Sequence, residues 1–165
     1  MSVARVDPQQ AVATIRRSLN GAPAQVAEGV ARLIRNSSED RLERLMSSPA
    51  RRVILETIFW QMPKRLDRRR AAGAKASIRW RITGGPGDRV DTYQLQLEDG
   101  RCQVIRGENA PEPRVTLTVD GAEFLRIATG SSDATRAHFS GRVGVAGDIM
   151  AAAKLASMFI IPGRR

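Results

Sequence analysis

The chain has one cysteine, one histidine and few aromatic rings: two Trp, one Tyr and four Phe, 4% of its 165 residues. Each scarcity excludes something. A lone Cys102 cannot close an internal disulfide, and one histidine beside one cysteine cannot build a His/Cys metal cluster. No spacing brings Cys102 and His138 together as a nucleophile pair, so His138 reads as a surface or helix-end residue and Cys102 as a small strand residue. With few rings, the 42% apolar fraction must build its core mainly from Ala, Val, Ile, Leu and Met. Such side chains pack less rigidly, which suits an adaptable cavity and an ordinary core equally. Long apolar runs are missing too: IMAAAKLASMFII is broken by Lys154, well short of the ~20 residues that span a bilayer. The first twenty residues carry charges where a signal peptide would have its apolar stretch. These absences predict a cytoplasmic chain, soluble or at most peripheral to a membrane.

What is abundant is positive charge, +10 overall. Residues 1–76 hold fifteen Lys/Arg against seven Asp/Glu, a balance of +8, and residues 77–165 hold twelve against ten, a balance of +2. The basic character belongs to the N-terminal part. Its densest run is KRLDRRR, with Lys64, Arg65, Arg68, Arg69 and Arg70. One reading is a patch for phosphates, on nucleic acid or an anionic membrane surface; the other is a solvated helix end whose cations complement the macrodipole. No aromatics interleave the arginines as a stacking platform requires, so the solvated end stands ahead and nucleic acid is not expected as a partner.

The N-terminal part has helical period. Asp7-Pro8 has the order of a cap and a first-turn proline before Val12, Ile15 and Leu19, and Asn20-Gly21 ends that helix. A second helix is expected over 23–35, with Val26, Val30, Leu33 and Ile34 on one face, then a short amphipathic turn at Leu42, Leu45 and Met46. Ser48-Pro49 opens a longer helix with Val53, Ile54, Ile58, Phe59 and Met62 as its stripe, which Pro63 should stop.

Past Ala76 the period becomes two. Ile78, Trp80 and Ile82 alternate with Arg79 and Arg81; after a Gly84–Asp88 turn, Tyr93, Leu95 and Leu97 alternate with Gln94 and Gln96. Asp99-Gly100 is a hairpin signal leading to Cys102, Val104 and Arg106, so these two strands must be antiparallel. Val115, Leu117 and Val119 form a further strand. Asp120 and Glu123 have capping-box spacing for a helix carrying Phe124, Leu125 and Ile127 inward. A short helix reaching Phe139, a strand at Val143 and Val145, and a helix over 149–160 capped by Asp148 and ended by Pro162-Gly163 complete the pattern. That last helix is apolar nearly all round. It is either a core helix packed wholly by protein or one whose second apolar side lines a cavity.

An enzyme is poorly supplied with parts. Gly141, Gly144 and Gly147 have neither dinucleotide-binding spacing nor a phosphate-loop ending, and Glu98-Asp99 sits in a hairpin turn. No catalytic residue, metal ligand or cofactor is assigned, and the expectation is a non-enzyme.

The blocks IRWRITG, YQLQLEDGRCQVIRG, PRVTLTVDGAEFLRIATG and FSGRVGVAGDIMAAAKLASMF, in this order, resemble the sterol carrier protein type 2 lipid-transfer family, over roughly residues 48–162. FWQMP, Phe59 to Pro63, resembles the segment before the first strand of bacterial members. The resemblance implies an α+β fold: a five-stranded antiparallel sheet, mixed at an edge, covered by helices around a hydrophobic tunnel for a lipid, fatty acyl chain or sterol. It leaves residues 1–47 as a helical extension, a cover, dimerisation element or regulatory arm. It transfers only a wall, assigned by strand parity and helical spacing: Ile78, Trp80, Leu95, Leu97, Val104 and Leu117 from strands, Phe124 and Phe139, then Val145, Met150, Leu155, Met158 and Phe159. Partners expected on this basis are a hydrophobic small molecule and, for the extension, an anionic membrane, a second copy or a lipid-metabolising enzyme.

Overall fold

The computed structural model describes residues 31–160. The expected helix before Asn20, most of the second helix and the Pro162-Gly163 stop lie outside them. Residues 31–35 are helical, as the spacing predicts for the end of the second helix. The Leu42–Met46 turn is instead a two-turn helix, α1 (Glu39–Met46), because Ser38 Oγ accepts from the Arg41 N–H and two acidic residues occupy its first turn. It buries Leu42 and Met46. Helix α2 (Ala50–Gln61) buries Ile54, Leu55 and Phe59. Pro63 does not end the helical path outright: the α-helix stops at Gln61 and one 3-10 turn, Met62–Arg65, carries the proline near its start, where its missing N–H costs nothing.

Five strands follow: β1 (Lys75–Thr83), β2 (Asp91–Glu98), β3 (Arg101–Arg106), β4 (Val115–Asp120) and β5 (Val143–Gly147), in the spatial order β3-β2-β1-β4-β5. The β2–β3 hairpin turns through Asp99 (φ 50°) and Gly100 (φ 72°), the two left-handed residues a tight hairpin needs. The sheet is mixed, and its parallel pairing lies at the centre, between β1 and β4, rather than at an edge. After β3 the chain recrosses the sheet and lays β4 on the free side of β1. The connecting loop shields the outer face: Gln94 Nε2 donates to Pro111 O (2.9 Å), and Arg79 donates to Gln94 Oε1 (3.0 Å) and Ala110 O (3.1 Å).

Helix α3 (Gly121–Ala128) starts at Asp120, whose Oδ1 accepts from Glu123 N–H at 3.0 Å. Helix α4 (Ala134–Phe139) is capped by Asp133. Helix α5 (Ile149–Ala156) is capped by Asp148. It ends four residues before the expected Ile160, because the chain beyond it pairs with the segment after the 3-10 turn. Leu66 and Phe159 form an antiparallel bridge, Asp67 N–H donates to Met158 O and Ile160 N–H donates to Arg65 O, each at 2.8 Å. Long-range backbone bonds here outcompete helical ones that local spacing alone would favour.

The core lies between the sheet's inner face and the helices. Four of the rare aromatics meet there: Phe59 stacks on Tyr93 (4.1 Å between centroids) and on Phe124 (5.2 Å), while Trp80 meets Phe124 edge-on (5.4 Å). Ile34, Leu42 and Met46 belong to the same buried cluster.

Candidate ligand cavity

The inner face of the sheet and the helices over it do not close completely. Between them lies a partly open cavity of about 830 Å³, within the range of small-molecule sites. Its floor follows from strand register. Leu95, Ile78 and Val115 stand in one row across β2, β1 and β4, and Tyr93, Trp80, Leu117 and Val145 stand in the next. Alternation puts all of them on one face. Ile78, Trp80, Leu95, Leu117 and Val145 line the cavity.

The walls are helical. Helix α2 contributes Ile54 and Ile58, one turn apart; α3 contributes Phe124, Leu125 and Ile127; α5 contributes Ile149, Ala152 and Leu155. Phe139 and Phe159 also line the space, and Ala31 and Ile34 close it from the N-terminal side.

Four residues assigned to the wall by spacing do not line it. Val104 is half-buried on β3, an edge strand against which the 3-10 turn packs, beyond the reach of the cavity. Leu97 is packed into the core, paired with Cys102 and Ala76. Met158 is buried where the chain turns back to bridge the segment after α2. Met150 is 76% exposed. It shares a face of α5 with Lys154, four residues on, while Ile149, Ala152, Ala153 and Ala156 line the cavity, with Ile149, Ala153 and Ala156 still exposed at its open side. Phe139, although it lines the cavity, is 83% exposed, which places it at an opening.

The basic run divides. Lys64, Arg68, Arg69 and Arg70 are exposed and Arg65 is half-buried; Arg65 and Arg70 line the cavity. Burial lowers the pKa of Arg65. Spacing could not separate these five, because the Leu66–Phe159 bridge decides which of them approaches the cavity. The α2 wall was also missed as a wall; its signal was the helical stripe of Ile54 and Ile58.

His138 borders the cavity with Nδ1 3.0 Å from the Val143 carbonyl of β5, and Cys102 lies on β3 at the opposite edge of the sheet. The two cannot meet. Burial pushes the Cys102 thiol up to about 11 and, chiefly, the Tyr93 hydroxyl up to about 12. The Trp80 indole N–H and the Tyr93 hydroxyl are buried without a hydrogen-bond partner among the described residues. Among those residues no cluster of three His, Cys, Asp or Glu could hold a metal ion, and no helix is long and apolar enough to cross a membrane.

The described residues form an α+β domain, a five-stranded mixed sheet and its covering helices with a mostly apolar cavity between them. The chain belongs to the SCP-2 sterol transfer family, whose pattern it matches over residues 55–159. It is 30% identical over 101 residues to the peroxisomal multifunctional enzyme type 2 of Mus musculus, a match covering 59% of this chain and 14% of that protein. The fold resembles that of sterol carrier protein 2 from Yarrowia lipolytica in its apo form, with TM-score 0.53 and 18% identity over 64% of this chain and 87% of that one. It also resembles part of the inverting sec-alkylsulfatase Pisa1 from Pseudomonas sp., with TM-score 0.54 and 16% identity over 98% of this chain and 34% of that one.

Proposed function

We propose that this chain carries a hydrophobic ligand in the cavity between sheet and helices and performs no chemistry on it. The observation that supports this reading is the apolar lining of a cavity of about 830 Å³ in a chain of the SCP-2 sterol transfer family. Burial supplies the affinity. Each methylene moved from water into an apolar site contributes about 0.8 kcal/mol, so ten give roughly 8 kcal/mol before association costs are subtracted. Soft aliphatic walls and small alanines on α5 accommodate chains of differing shape.

Native mass spectrometry of the purified chain, with organic extraction of what co-purifies, tests the reading. One lipid per chain is the expected result; an empty chain that also takes up no fluorescent fatty acid overturns it.

A second reading is favoured by one observation, that the matched region is 14% of the murine multifunctional enzyme. In such an arrangement a carrier domain serves catalytic domains. This chain would then hand its ligand to an enzyme partner, and co-purification of a lipid-modifying activity with the tagged chain is the result to expect.

A further inference from the structure

Helix α4 borders the cavity and is held there by little apolar packing. Asp133, Ala134, Thr135, His138 and Phe139 line the space, yet within α4 only Ala137 is buried, and Phe139 is 83% exposed. A segment with so few buried apolar contacts belongs to the low end of local stability in a folded chain. What fastens it is polar. Glu123, in the first turn of α3, is 3% exposed: its Oε1 accepts from Ser132 Oγ, just before α4, and its Oε2 accepts from Arg142 Nη1 at 3.2 Å, just after it. A buried carboxylate is costly unless it is paired. Glu123 is therefore stable in its place only while both flanks of α4 are drawn in towards it.

The same two flanks carry permissive backbone. Gly130 (φ 77°) and Gly141 (φ 78°) are both left-handed, a conformation that glycine adopts without strain. Backbone bonds from Ser131 and Ser132 to the Arg126 carbonyl (2.9 and 3.1 Å) tie one flank to α3, and the pairing of β5 with β4 ties the other to the sheet. Both ends thus stay attached if the helix between them lifts.

We propose that α4 is the gate of the cavity and Glu123 its latch: release of Ser132 and Arg142 from the carboxylate lifts α4 between Gly130 and Gly141 and widens the opening through which a ligand passes. This rests on the carrier reading and adds to it a route and a control on the rate of exchange. Entry and exit use the same opening. Weakening the latch therefore speeds both and leaves affinity in place.

The test uses two variants that loosen the latched state by different chemistry, and one matched control. Glu123→Gln removes the charge that Arg142 meets. Gly141→Ala puts a side chain on a left-handed residue with no neighbouring group within 4 Å of the new Cβ, so it acts through backbone strain. Gly107→Ala imposes comparable strain in the loop over the outer face, away from the cavity. Uptake and release of a fluorescent fatty acid by the full chain are followed by stopped flow, and amide hydrogen exchange by mass spectrometry. In Glu123→Gln and Gly141→Ala both rates should rise about fivefold or more, with Kd within about twofold, and the amides of Ala137, Ser140 and Arg142 should exchange faster by a like factor. Gly107→Ala should move neither. Arg142→Gln, at a side chain 47% exposed, stands in for Glu123→Gln should that variant fail to fold.

Unchanged rates in either variant with native circular dichroism, or a Kd weakened through release alone, overturn the gate. So does segment exchange that rises as much in Gly107→Ala, because α4 would then open only with the whole chain. A chain that takes up no fatty acid overturns the carrier reading, and the gate with it.

Discussion

Arg51 shows what a single residue does in this fold. It is 2% exposed, and four of its five N–H groups are answered: Nε donates to Asp91 Oδ2 at 2.8 Å, and the Nη atoms donate to the carbonyls of Met46, Thr83 and Ile82. One side chain therefore ties the end of α1, the start of α2 and both strands β1 and β2. Arg51→Met removes the cation but leaves the buried Asp91 carboxylate, with only the half-exposed Arg89 beside it. Breaking a buried pair from one side costs about 3–5 kcal/mol, and urea denaturation should show a loss of that order. Gly121 is a second such point. A Cβ there would stand 2.8 Å from Met46 Cβ and 3.0 Å from an Arg51 nitrogen, so Gly121→Val should cost about 1–3 kcal/mol through overpacking. Cys102 makes a chemical prediction. With its thiol at about 11 instead of 9.0, the thiolate fraction at pH 8 falls by roughly 100-fold. Iodoacetamide should label it slowly at pH 8, with a rate that climbs through pH 10; labelling as fast as that of a free thiol would contradict its burial.

At the scale of elements, the walls depend on which face of α5 turns inward. Ala152 lines the cavity and is small, so Ala152→Trp projects a ring into the space that the proposed ligand needs. Met150→Trp places the same ring in solvent. The expected outcome is a loss of fluorescent fatty-acid uptake in the first variant and none in the second; equal uptake by both would remove α5 from the ligand's surroundings. Helical spacing alone places Met150 among the walls because it defines a stripe but not the azimuth at which the helix is docked. Strand parity served better. Ile78, Trp80, Leu95 and Leu117 face the cavity together because cross-strand neighbours share a face once their registers are set. Turns and caps were readable where one residue type carries the geometry, as at Asp99-Gly100, Asp120 and Asp148. The central parallel pairing of β1 with β4 and the Leu66–Phe159 bridge were not, because both join segments far apart in the chain and leave no local pattern. The bridge is also what brings Arg65, one cation in a run of five, to the cavity.

The whole molecule must keep a cavity of about 830 Å³ inside a core with few rings, and an unfilled space of that kind forfeits dispersion contacts along its lining. A ligand restores them. It binds the folded chain and not the unfolded one, so occupancy feeds directly into stability: at a free ligand concentration a hundredfold above Kd the gain is about 2.7 kcal/mol. For a chain of this size each kcal/mol moves the melting temperature by roughly 2–4 °C. Adding hexadecanoate at that excess should therefore raise Tm by about 5–10 °C. The Ala152→Trp protein is the matched control, because its ring occupies the space in place of the ligand; its Tm should respond by less than about 2 °C. A ligand effect of the same size in both proteins would mean that the fatty acid stabilises by coating the exposed apolar residues Leu33, Trp60 and Met150 rather than by filling the cavity. In that case the carrier reading would lose its site.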